Sequence, residues 1–174
     1  MPAISMSRRL HLAAFAAIAF SLAGCATPPA PIPPELQYRE PQLAPDNGSI
    51  VGSQEDSSWA DNFTAYVFAV DGKRVMVGRK GWNVPLSLPP GARKVTVQFN
   101  RGVFAASAEL SIDVAPGAVL ELKYSTDVGF NGKNSYCDFW IVDTKTGKAV
   151  TEVVRGPVGG HTSSTYIPIF IPRK

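Results

Sequence analysis

Few residues in this sequence can carry chemistry. The 174-residue chain has two histidines, His11 and His161, and two cysteines, Cys25 and Cys137. A protein zinc site draws three or four ligands from Cys, His and carboxylates. One histidine beyond residue 25 cannot supply an all-His or His₂-carboxylate set within one subunit. His161 lies in the polar run Gly159-Gly160-His161-Thr162-Ser163-Ser164-Thr165, and no Gly-x-Ser-x-Gly elbow offers an activated serine. The carboxylate pairs that could serve glycoside hydrolysis are Glu55 with Asp56 and Asp138 with Asp143. The first pair falls in a polar loop, and the second brackets a strand, where carboxylates are ordinarily solvated. Asp127, Asn131, Asn134 and Asp138 make an oxygen-rich stretch without the spacing of a calcium loop. Cys137 shares a strand face with Phe139 and Ile141, which predicts a buried small hydrophobe and not a nucleophile. No catalytic residue, metal or cofactor is expected.

Binding has better carriers. Trp82 and Asn83 close the run Arg79-Lys80-Gly81-Trp82-Asn83, and Trp59 sits in Ser57-Ser58-Trp59-Ala60-Asp61. Phe130 and Asn131 lie in the glycine-flanked Gly129-Phe130-Asn131-Gly132-Lys133-Asn134. A ring beside amides and a lysine suits a sugar or a partner protein, because the ring face stacks while the amides hydrogen-bond. The same tryptophans also suit the ends of a β-sandwich, capping its core.

The elements that must position these loops are strands. In 94–100, Val95, Val97 and Phe99 alternate with Lys94, Thr96 and Gln98. In 104–114, Phe104, Ala106, Ala108, Leu110, Ile112 and Val114 alternate with Ala105, Ser107, Glu109, Ser111 and Asp113. Leu120, Leu122 and Tyr124 repeat the pattern, as do Val84, Leu86 and Leu88 over a shorter span. The run 63–70 is apolar on both faces, as is a strand covered on both sides or lying under a loop. Asp71-Gly72 predicts a hairpin between 63–70 and 73–77. Pro89-Pro90-Gly91, Ala115-Pro116-Gly117 and Lys145-Thr146-Gly147-Lys148 are further reversals. With end strands at 49–54 and 166–171, about eight strands result, an antiparallel sandwich or small barrel occupying 48–174. Pro168 and Pro172 restrict the last of these to an edge.

Two resemblances add to this reading. Val70-Asp71-Gly72-Lys73, Pro85-Leu86-Ser87-Leu88-Pro89-Pro90-Gly91 and Val95-Thr96-Val97 are similar to PEGA-type surface domains and transthyretin-like modules over residues 64–125. That implies an immunoglobulin- or transthyretin-like sandwich without catalysis, set in a cell envelope. More specific is Leu22-Ala23-Gly24-Cys25, which resembles the lipobox of bacterial lipoproteins. It follows Arg8-Arg9 and the stretch 10–23, which only His11 and Ser21 interrupt; that length fits a signal peptide and is short of the ~20 residues of a membrane span. The resemblance implies residues 1–24 as a signal peptide and a diacylglyceryl thioether, then N-acylation, on Cys25. Ser7-Arg8-Arg9-Leu10-His11-Leu12 partly resembles a twin-arginine motif, but His11 stands where an aromatic is usual, so Sec export is the expectation. Residue 26 is Ala and not Asp, which by analogy with enterobacterial lipoproteins favours the outer membrane over the inner, with the domain facing the periplasm.

Behind Cys25, the segment 26–47 holds seven prolines. Proline fixes φ and removes the amide donor, so 25–47 is expected as an extended lipid-tipped tether. Lysine and arginine number 17 against 14 acidic residues over the whole chain. Removing Arg8 and Arg9 with the signal brings the two signs nearly level, which argues against a nucleic-acid partner. The expected function is a non-catalytic, outer-membrane-anchored lipoprotein whose sandwich serves as a structural or protein-interaction module. The alternative is a carbohydrate- or peptidoglycan-binding module using the aromatic loops. The expected partners are the membrane, through the anchor, and an envelope protein or glycan.

Overall fold

A computed structural model describes residues 30–42, 44–56, 62–129 and 131–159. The lipobox, Trp59, Phe130, His161 and the expected strand at 166–171 lie outside them. The described residues from Pro33 onward form one compact unit. Its strands are β1 (Gly48–Val51), β2 (Ser53–Glu55), β3 (Phe63–Val70), β4 (Lys73–Arg74), β5 (Leu86–Leu88), β6 (Gly91–Arg101), β7 (Phe104–Val114), β8 (Val119–Thr126), β9 (Tyr136–Asp143) and β10 (Val154–Pro157). One sheet has the order β10-β9-β8-β1-β5; the other runs β2-β3-β6-β7, with β4 also on β3. The fold is an all-β sandwich, antiparallel except where β1 pairs with β8 in parallel.

The alternation explains the core. Val95, Val97 and Phe99 of β6 and Leu110, Ile112 and Val114 of β7 turn inward, facing Leu120 and Leu122 of β8 and Cys137, Phe139 and Ile141 of β9. Strands of this period present one face to a core and one to solvent, and two such inner faces make a sandwich. β3 is the strand under a loop. Its outward-facing Tyr66 is buried, donates to Gln98 Oε1 at 2.6 Å, and shares a small cleft with Val77, Gly78 and Gly81 from the 3₁₀ turn Gly78–Gly81.

Several local expectations are corrected. The run 49–54 is not one strand. Gly52 breaks it, and β1 and β2 belong to different sheets. A Cβ at Gly52 would strike the Ala65 carbonyl oxygen and come within 2.9 Å of the Trp82 carbonyl oxygen, so the crossing needs a bare backbone there. Asp71 and Gly72 both have positive φ, 49° and 76°, as a two-residue hairpin turn requires, but the returning strand is only β4. Pro89-Pro90-Gly91 and Ala115-Pro116-Gly117 carry the chain from one sheet to the other and close no hairpin. Val84 is exposed: it belongs to the loop before β5 and not to the alternating face. The run 145–148 closes a short hairpin, in which Ala149 bridges Val142 before β10 resumes the pairing with β9.

The proline-rich segment is an extended spacer by composition, yet from Pro33 it is fastened to the sandwich. Pro34–Leu36 forms a 3₁₀ turn and Gln37 makes a parallel bridge to Arg74. The Tyr38 amide donates to the Arg74 carbonyl at 2.7 Å and its hydroxyl to the Ser87 carbonyl at 2.8 Å; Glu40 Oε2 accepts from the Ser87 amide at 2.9 Å. Prolines exclude a regular ladder but allow single bridges between them. These bonds join the free edge of β4 in one sheet to that of β5 in the other, so the segment strops across an otherwise open side. On the opposite side, β10 lies against β7, with Gly156 close to the Ser107 carbonyl and Gly159 bridged to Ala105.

Candidate functional site

Strand directions sort the loops into two poles. At one lie the Asp71-Gly72 turn, the 89–91 and 115–117 connections and the 144–148 turn, together with the incoming segment, whose Asp46 carbonyl accepts from the Gly117 amide. At the other lie the β2–β3 connection, the residues leading into β5, the Gly102-Val103 turn and the β8–β9 connection. This second pole therefore collects all three loops that carry the sequence-predicted binding residues.

Its base is an aromatic row. Phe63, Phe99 and Tyr124 stack with ring centroids 6.1 and 5.3 Å apart, and the Tyr124 hydroxyl donates to the Phe63 carbonyl at 3.2 Å. Burial, then the charge of Glu55, raises the Tyr124 pKa above the ordinary tyrosine value. Arg101, at the end of β6, lays its guanidinium 3.9 Å over the Phe63 ring and donates to the Val128 carbonyl at 3.2 Å. It thus ties the β8–β9 loop to the aromatic row by a cation–π contact and a hydrogen bond. Arg79 donates to the Asn62 carbonyl at 3.1 Å, joining the Trp82 loop to the start of β3.

The β8–β9 loop braces itself. Asp127 Oδ1 accepts from the amides of Ser135 and Tyr136 at 2.9 and 3.0 Å, and Oδ2 from the Ser135 hydroxyl at 2.6 Å. Desolvation pushes the Asp127 pKa up, but these three donors outweigh it and hold the carboxyl below its usual range. Asn134, at φ 52°, accepts from the Gly129 amide through Oδ1. A Cβ at Gly132 would strike the Asp127 carbonyl oxygen. The oxygens of Asp127 and Asn134 are engaged inside the loop, and among the described residues no group of three His, Cys, Asp or Glu could hold a metal.

Trp82 is half-buried and lines a cleft of about 20 Å³ with Ile50, Tyr66, Val75 and Leu86, between the β3 and β5 sides of the sandwich. Asn83 and Asn131 are exposed. β1 separates the strands that carry these two loops, a gap of roughly 10 Å at the usual strand spacing. Trp82 and Asn131 thus share a pole, and no described contact joins them. Arg101 is the organising residue that sequence reasoning missed. Its only signal is a cation at a strand end before Gly102, and its partner Phe63 lies 38 positions away.

The candidate catalytic groups are engaged elsewhere. Asp138 takes a two-pronged contact from Arg155, at 2.7 and 2.8 Å, which holds its pKa low, and Arg155 also lies over the Tyr136 ring. Asp143 Oδ1 accepts from the Lys145 and Thr146 amides. Asp56 accepts from Asn62. Cys137 is fully buried, and desolvation pushes its thiol up to about 12. No protein family, curated protein or solved structure matches this chain.

Proposed function

We propose that this chain is a non-catalytic lipoprotein of the outer membrane, anchored through Cys25, that presents its sandwich to another envelope component. The observation that carries the reading is Leu22-Ala23-Gly24-Cys25 behind a basic and apolar lead. Several acyl chains on one residue give stable anchoring, since each buried CH₂ contributes about 0.8 kcal/mol. The fold supports a presenting role. The incoming segment is fastened toward the other pole, and among the described residues Asn83 and Asn131 are exposed at the loop pole.

Labelling with a radioactive fatty acid tests the anchor. The wild-type chain should incorporate label and fractionate with outer membranes, and Cys25→Ser should do neither. Unchanged processing and membrane retention in the variant would sink the reading. Exposed Asn83 and Asn131 favour keeping a glycan as the partner's second chemistry. Saturable binding to isolated sacculi, reduced by Asn83→Ala with Asn131→Ala, would select it over a protein partner captured by crosslinking.

A further inference from the structure

The charges of this chain are segregated. From Gly72 to Ala108 there is no acidic residue, and the first part of that stretch reads Lys73-Arg74-Val75-Met76-Val77-Gly78-Arg79-Lys80-Gly81-Trp82. Two basic pairs bracket a short apolar run. In the fold this run covers Tyr66 on the outer face of β3, and its apolar side chains are largely in solvent: Met76 is 55% exposed, Val77 53% and nearby Val84 52%. None of the four flanking cations joins an ion pair among the described residues. Arg74 rests on the Phe68 ring and Arg79 on the Asn62 carbonyl, while Lys73 and Lys80 extend into solvent. Carboxylates beside these cations are Glu35 and Asp71, which share a recess with Lys73, and Asp56, which accepts from the same Asn62 that holds Arg79; Asp71 is engaged by Arg93.

Exposed Met and Val ringed by Lys and Arg are the pattern of a surface that enters a lipid interface, apolar groups into the acyl boundary and cations onto anionic headgroups. The position of the anchor makes that occupant the specific one. Tyr38 bonds directly to Arg74 at the edge of the patch, and only seven residues lie between Cys25 and Pro33, eight residue steps with a reach of at most about 28 Å. We infer that the 73–84 segment is a second membrane contact, docking the sandwich through Met76, Val77 and Val84 onto anionic phospholipid. The anchor argument rests on the proposed lipidation; the chemistry of the patch does not. Docked this way, the domain lies against the bilayer by the outer face of β3 and the loop that carries Trp82 and Asn83, which leaves the β8–β9 loop as the part of that pole open to a partner.

The test uses the unlipidated chain from Ala26 onward, which retains every described residue, so that it reads the patch and not the anchor. Sedimentation with vesicles of phosphatidylcholine containing about one-third phosphatidylglycerol should show binding that weakens in high salt. Pure phosphatidylcholine should bind far less. Lys73→Gln with Lys80→Gln should weaken partitioning about 25-fold, taking roughly fivefold per lysine at an anionic surface. Met76→Asp should weaken it about tenfold or more. Both variants alter exposed side chains, and unchanged melting curves would confirm that they fold. Absence of binding to the anionic vesicles, equal binding to the zwitterionic ones, or full binding by both variants would overturn the inference. Each of those results leaves the Cys25 labelling experiment standing on its own.

Discussion

Cys137 shows how burial sets the chemistry of a single group. Its sulfur lies in the core between the sheets, and desolvation, aided by the charges of Asp138 and Asp127 against a bond from Thr126, lifts the thiol to about 12. A thiolate is the nucleophile, so a disulfide reagent should modify the folded protein far more slowly than the protein in denaturant. Labelling at equal speed with and without denaturant would contradict the burial. The same shift couples to stability. The unfolded chain ionises this thiol near pH 9 and the folded protein only near 12, so its contribution is intact below pH 9 and is lost as pH rises through that window. A chemical-denaturation series should show a decline on the order of a few kcal/mol, with a shallower slope in Cys137→Ala. Asp127 has the opposite sign. Its depressed pKa keeps the β8–β9 loop braced above the ordinary carboxylate range, and bracing is lost as pH falls through the lowered value. Protection of the Ser135 and Tyr136 amides, taken relative to their intrinsic exchange at each pH, should therefore fall in acid, and in Asp127→Ala at neutral pH.

At the scale of the element, Gly52 is the point where one run of sequence becomes two strands. Its φ is not in the left-handed region; the constraint is space against the Ala65 and Trp82 carbonyls. Gly52→Ala must part β2 from β3 or displace the Trp82 loop, and should cost about 3 kcal/mol, roughly 10 °C in Tm. A variant melting within about 2 °C of wild type would show that the crossing tolerates a side chain. This element marks where the sequence stops being legible. The paired alternation in 94–114 is a local property, and nearly every residue it turns inward is buried. The crossing at Gly52 and the parallel pairing of β1 with β8 depend on chain 13 to 70 residues away, so no local period encodes them. β10 was missed for the opposite reason. Val154-Arg155-Gly156-Pro157 carries two strand-breaking residue types, acceptable here because an edge strand can hold proline and Gly156 needs the room against β7. In the candidate site, the loops were legible from their glycines and aromatics. The Arg101–Phe63 contact was not, since it exists only once β3 and β6 pair. The strap at 33–40 was hidden by its prolines, which signal extension equally well for a free spacer and for a segment laid across two strand edges.

The strap has a consequence for the whole molecule. Sheet edges offer unpaired amides and carbonyls to any neighbouring chain, and natural proteins cover them. Here Tyr38 and Glu40 occupy the outward carbonyl and amide of Ser87 in β5, while Gln37 and Tyr38 occupy Arg74 in β4. The tether is thus part of the fold at the place where a minimal sandwich boundary at residue 48 would cut it away. Burial, reinforced by Glu40, lifts the Tyr38 hydroxyl to about 12, so it remains a donor to Ser87 throughout the physiological range. Tyr38→Phe removes one hydrogen bond and should cost about 1 kcal/mol, leaving the oligomeric state unchanged. A chain beginning at Gly48 loses every bond in the strap and leaves both edges bare. It should melt well below the chain beginning at Ala26 and self-associate with rising concentration, measured by sedimentation velocity over a hundredfold range. If it instead sediments as a monomer with an unchanged Tm, the segment is a spacer that merely touches the sandwich.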